Sequence, residues 1–136
     1  MTPKEFAAKW FGNLDSRNYD GLKSMLSSSH QFDNPMTPQP VDGTMHLGLV
    51  QQMNATFTEG KHVIDQMIGE GDWVTVRATW SGKFTSEFNG LKPTGKAVVL
   101  PFTDIMHVVN GQLIEEYMRF DMQAFMQQLG GMQQPS

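Results

Sequence analysis

Apolar side chains recur at Phe6, Ala7, Trp10, Phe11 and Leu14, the 3.6-residue spacing of one buried helical stripe. Thr2-Pro3-Lys4-Glu5 ahead of them predicts the helix start, with Thr2 as N-cap, Pro3 in the first position and Glu5 in the third. Asn18-Tyr19-Asp20-Gly21 breaks the pattern, and Leu22, Met25 and Leu26 predict a short second helix. Ser27 to Asn34 reads as a strand, and Pro35 to Gly43, with three prolines, as a loop. A third helix is expected from Thr44 to Thr58, with Leu49, Val50, Met53 and Phe57 on one face.

From His62 the period changes to two, and four strands follow, at 62–70, 73–84, 97–109 and 112–121. Gly71-Asp72 and Asn110-Gly111 are tight-turn pairs, so these strands join as antiparallel hairpins. Residues 86–96 form a longer connection, 122–129 a closing helix, and the end of the chain a frayed tail. Helices first and a strand meander after predict an α+β fold, one domain over residues 1–130 with a flexible tail at 131–136.

The last hairpin admits two registers. A two-residue turn pairs Val109 with Gln112 and sends His107 and Asp121 to opposite faces; a bulged turn pairs Val108 with Gln112 and puts them on the same face. The bulged register sorts the strands better. Val98, Leu100, Phe102, Met106 and Val108 then share a face with Ile114, Met118 and Phe120. The opposite face collects Thr103, His107, Glu115, Tyr117, Arg119 and Asp121, with Val99, Ile105 and Leu113. On this reading the apolar face packs against a second subunit, and the mixed face lines a pocket. Asp104 is the misfit, a carboxylate on the apolar face.

Composition narrows the partners. Net charge is −4, and the ten basic residues form no block, which argues against nucleic acid. No apolar run is long enough for a membrane span, no signal-peptide pattern opens the chain, and there is no cysteine; a soluble, cytoplasmic protein is expected. Eleven methionines suit an irregular core or a pocket for apolar ligands. His30, Asp33, Asn34 and His46 are further polar candidates, but His30 and Asp33 differ by an odd step along one strand and face opposite ways. Without HxH or HExxH spacing no metal site is expected, and neither a phosphate-cradling glycine loop nor a GxSxG elbow is present.

Two segments carry a resemblance. Thr79 to Lys96, TWSGKFTSEFNGLKPTGK, and Asp104 to Met122, DIMHVVNGQLIEEYMRFDM, are similar to segments of the SnoaL-like polyketide cyclases, within the wider nuclear-transport-factor-2-like superfamily. With the Trp10 helix and Phe32-Asp33-Asn34-Pro35 the likeness runs from Phe6 to Leu129. It implies a cone of strongly bent antiparallel sheet and three to four helices around a pocket, and a homodimer or tetramer formed through the sheets. It implies a cofactor-independent acid/base enzyme, of cyclase (aldol) or isomerase type, acting on a small hydrophobic or aromatic carbonyl compound. Asp121 takes the place of the family's acid/base group, and His107 and Asn34 match its pocket neighbours. Tyr117, Arg119, Trp10 and Phe57 complete the expected binding set, with Arg119 either paired to Asp121 or anchoring an anionic group. Two residues depart from the family pattern: Asp33, where many relatives carry histidine, and Tyr117, where tryptophan is usual. The alternative expectation is a non-catalytic module that binds a small hydrophobic ligand in the same cavity.

Overall fold

The computed structural model describes residues 1–131; the remainder of the expected tail, 132–136, lies outside the described residues. Helix α1 (Pro3–Asp15) starts as the sequence predicts, with a reciprocal capping box. The Glu5 N–H donates to Thr2 Oγ1 at 3.1 Å, and the Thr2 N–H donates to Glu5 Oε1 at 3.2 Å. Phe6, Ala7, Trp10 and Phe11 are its buried stripe. Helix α2 (Tyr19–Met25) is capped by Asn18 and buries Leu22 and Met25. Strand β1 (Leu26–Asp33) leads through the proline loop to α3 (Gly43–Thr56), capped by Asp42. Phe57, expected on α3, instead opens β2 (Phe57–Glu70), fully buried. β3 (Trp73–Phe84), β4 (Ala97–Val109), β5 (Gln112–Phe120) and α4 (Met122–Gln128) follow.

The five strands form one curved sheet in the order β1-β5-β4-β3-β2, antiparallel except where β1 runs parallel to β5 at the edge. Register shifts mark bulges in β2 at 58–61 and 64–66, and in β5 opposite His107/Val108. Bulges bend and twist a sheet, and here they curl it around one face.

The last hairpin combines both registers weighed from the sequence. Asn110 and Gly111, both at positive φ (53° and 72°), make a two-residue turn that pairs Val109 with Gln112. A bulge one step further restores the parity, so that His107 pairs with Glu115 and Phe102 with Phe120. Val98, Leu100, Phe102, Met106 and Val108 therefore do share a face with Met118 and Phe120. Leu113, expected on the other face, is brought opposite Val108 and fully buried in place of Ile114.

The function assigned to the two faces is reversed. The apolar face does not meet a second subunit; α1, α3 and α4 cover it, and it forms the core with Phe6, Trp10, Phe11 and Phe125. Helical stripes need an apolar partner, and this face of the sheet is the one that offers it. The mixed face is the outer surface. No helix among the described residues is long and apolar enough to cross a membrane.

Candidate active site

Between α1, α3 and the concave side of the sheet lies a cavity of about 120 Å³. A single water needs ~10–15 Å³ of such space, so the cavity has room for a small organic compound. Its walls are Trp10, Phe11 and Leu14 of α1, Leu49, Val50 and Met53 of α3, and Leu100, Phe102, Met118 and Phe120 of the sheet. The polar groups facing it are few, which is the pattern of a small-molecule site.

The deepest of them are Asp104 and Glu116. β4 and β5 pair Asp104 with Met118 and Met106 with Glu116, so the two carboxyls are diagonal neighbours on the cavity face. Both are fully buried, and none of their four oxygens has a hydrogen-bond partner among the described residues. Burial raises both carboxyls, Asp104 to about 6 and Glu116 well above the ordinary range, with the Asp104 charge adding to the rise at Glu116. Both shifts favour the protonated forms, so the pair takes up its first proton at a higher pH than two free carboxyls would.

Beside Glu116 stand two buried imidazoles. His46 Nδ1 lies 3.9 Å from Glu116 Oε1 and 2.9 Å from His30 Nε2, and the His46 ring stacks on Phe32 at 3.7 Å. Burial lowers His30 to about 4 and His46 to about 3, so both are neutral at pH 7. His30, His46 and Glu116 could bring three donor atoms to a metal ion, with all three atoms within 4.8 Å of one another. The short His30–His46 contact is already satisfied as a hydrogen bond between neutral rings, and we assign no metal here.

Where α1 meets β2, the His62 backbone N–H donates to both Asp15 oxygens (3.2 and 3.1 Å), and its ring Nδ1 lies 2.6 Å from Asp15 Oδ1. A carboxylate partner fixes the proton on Nδ1 and leaves Nε2 free as an acceptor. His62 and Asp15 both line the cavity.

The residues expected from the sequence fall in different places. Trp10 and Asn34 line the cavity. Asn34 spends its amide on the loop, donating to the Phe32 carbonyl and Thr37 Oγ1 and accepting from the Met36 N–H, an Asx turn that shapes the wall. Phe57 packs edge-on against Trp80 in the core behind the cavity. His107, Tyr117 and Arg119 lie on the outer face. His107 stacks on Trp73 at 4.3 Å and approaches Glu115, to which the Tyr117 hydroxyl donates. Arg119 pairs with Asp33 at 2.9 Å, not with Asp121. Asp121 is exposed and serves as the N-cap of α4, accepting from the Ala124 N–H at 3.0 Å. The single cavity expected for Asp121, His107, Tyr117 and Asn34 is therefore not formed, because His107 and Tyr117 point outward beyond the bulge and Asp121 caps α4. Glu116 was missed, although strand parity puts it on the same face as the misfit Asp104.

The sequence profile of the SnoaL-like polyketide cyclases matches residues 5–129. The chain belongs to that family. The same fold occurs in AclR, a candidate hydroxylase from Streptomyces galilaeus, at TM-score 0.86 and 18% identity, covering 97% of this chain and 87% of that one. IdmH, a candidate polyketide cyclase from Streptomyces antibioticus, matches at TM-score 0.85 and 22% identity over 96% of this chain and 99% of its own. A candidate SnoaL-like cyclase from Shewanella denitrificans matches at 0.81 and 18%, covering 96% and 98%. No curated protein sequence matches. At these identities the neighbours show the fold alone, and the chemistry of this SnoaL-like chain has to be argued from its own cavity.

Proposed function

We propose that this SnoaL-like protein is a cofactor-independent acid/base enzyme, of cyclase or isomerase type, acting on a small hydrophobic carbonyl compound held in the cavity. The observation that carries it is the fully buried Asp104–Glu116 pair facing an apolar cavity with no structural partner. Carboxyls kept dry and unpaired are costly to a fold, and active sites are where such cost is retained. Asp104, raised to about 6, is a base matched to neutral pH. Glu116, held protonated, is placed to donate a hydrogen bond to the carbonyl oxygen as enolate charge develops on it. The proton taken from carbon by Asp104 is returned to carbon at the end of an isomerisation. In a ring closure, the carbanion attacks a second carbonyl whose oxygen is protonated instead. His62, oriented by Asp15, is the second proton-transfer group within reach of the cavity. These assignments replace Asp121 and His107, whose positions support capping and surface roles.

The test uses a bicyclic ketone, β-tetralone, and follows exchange of its α-protons with deuterated water by NMR. Wild-type protein should accelerate exchange over buffer, and Asp104→Asn should lower the accelerated rate by roughly 10²–10⁴ with affinity nearly kept. Binding without acceleration would leave a ligand-binding module as the function.

Assembly as a homodimer belongs to the same proposal. What supports it is the outer face of β2, β3 and β4, where Val63, Ile68, Trp73, Val99 and Ile105 stand exposed together.

A further inference from the structure

The mouth of the cavity holds a cation that the proton-transfer chemistry does not use. Arg17 follows α1 and lines the cavity, partly buried, with its backbone in the left-handed region at φ 57°. Left-handed backbone is uncommon for a residue with a side chain and persists where its surroundings hold it. Here Nη1 donates to the carbonyls of Asp15 (2.8 Å) and Gly60 (3.1 Å), which fixes the guanidinium across the opening between α1 and β2. Arg17 belongs to none of the ion pairs among the described residues. The Asp15 carboxylate, which the Arg17 charge helps to hold low, is turned onto His62.

Directly opposite, β2 bulges at Glu59-Gly60, with Glu59 also left-handed at φ 57°. Glycine at 60 permits a close approach: a Cβ there would lie 3.3 Å from Arg17 Nη2 and 3.4 Å from Trp80 Nε1, tighter than ordinary contact. Two N–H groups from different elements are therefore drawn together over Gly60 on the cavity wall, and both are donors only. Such a pair suits an oxygen acceptor, and the fixed positive charge favours an anionic one.

We propose that Arg17 and Trp80, brought together by the close approach at Gly60, form an anion subsite at the cavity mouth, so that the ligand is an apolar ring body carrying a carboxylate. The apolar body reaches towards Asp104 and Glu116, and the carboxylate stays at the rim. This deepens the reading of the cavity as a ligand site and rests on it. The subsite is a specificity device, separate from the proton-transfer pair.

The experiment compares two matched probes, naphthoate and its neutral amide, by calorimetry. Wild-type protein should bind naphthoate at least tenfold more tightly than naphthamide, with the preference shrinking in high salt. Arg17→Gly removes the guanidinium while relieving the left-handed backbone, so folding is not at stake. It should abolish the preference and leave naphthamide affinity within about twofold, the scatter expected where a cation is removed from a neutral ligand. Gly60→Ala pushes the two donors aside and should weaken naphthoate selectively, whereas Arg17→Lys should retain part of the preference. Equal affinity for the two probes in wild-type protein, or binding of neither, overturns the subsite, as does a preference that survives Arg17→Gly. Failure of β-tetralone exchange with the carboxylate preference intact would instead remove the catalytic reading alone.

Discussion

Asp104 and Glu116 are diagonal neighbours across β4 and β5, both fully buried, with no hydrogen-bond partner for their oxygens among the described residues. A fold that needed only apolar packing would place two more aliphatic side chains there. Met106, Met118 and Phe102 on the same face show that the site accepts them.

The first expected outcome concerns stability against pH. Asp104 and Glu116 have raised folded-state pKa values, so their stabilisation is present at low pH and is lost as pH rises through those values. His30 and His46 are depressed, to about 4 and about 3, so theirs is present above the ordinary 6.5 and lost as pH falls. Between about pH 5 and 6 the unfolded chain carries two protons on the histidines, and the folded one carries two on the carboxyls. The slopes cancel, and stability should be flat there. Above about 7.5 the unfolded histidines are nearly empty, and the raised Glu116 leaves the folded state the better proton binder, so stability should fall with rising pH. Urea unfolding across this range measures it. In the Asp104→Asn, Glu116→Gln double variant the fall should vanish, and stability should instead rise with pH below 6.5.

A second outcome separates function from architecture. Replacing both carboxyls by apolar residues, Asp104→Leu with Glu116→Met, should stabilise the fold by about 1–4 kcal/mol, as for other buried polar groups exchanged for hydrophobic ones. The same variant should lose all acceleration of β-tetralone exchange. Thermal unfolding and the exchange assay on one preparation read both quantities; a destabilised variant would mark the pair as structural.

Asp121 offers a third check. As the cap of α4, Asp121→Ala should cost ~1 kcal/mol, whereas Asp121→Asn, an equally good cap, should be near neutral. Neither should change exchange beyond what unfolding removes. A hundredfold loss in Asp121→Asn at unchanged stability would return the base role to Asp121.

The elements were legible in the sequence because local rules decide them: the Thr2 capping box, the Asn110-Gly111 turn, and the period of two in β3 and β4. The parity of the last hairpin was legible too, because apolar residues sort by face. Which face turns inward was not, since that depends on where α1 and α3 pack, and no local signal carries it. The family motif drew attention to Asp121 and His107, while the sharper signal was the misfit. Asp104 on the apolar face, with Glu116 at the same parity on β5, marked the interior carboxyl pair. The His62–Asp15 contact joins residues 47 apart in the chain and left no pattern to read.

The last outcome tests assembly through the outer face. Ile105 stands near its middle, flanked by Thr75 on β3 and Tyr117 on β5, and is 38% exposed in the protomer. A glutamate there meets water in the isolated chain, so Ile105→Glu should leave the protomer's unfolding midpoint nearly unchanged. In a two-fold dimer the same patch faces itself, so the substitution buries two carboxylates near one another. Each would lose its hydration and repel its copy, a penalty that an interface of ordinary size does not absorb. Light scattering at about 10 μM, well above the micromolar Kd of a weak specific dimer, should give twice the 15.3 kDa chain mass for the wild type. Ile105→Glu should give the single chain mass. A wild type that is already monomeric, or an Ile105→Glu variant that remains dimeric, would remove this face as the interface.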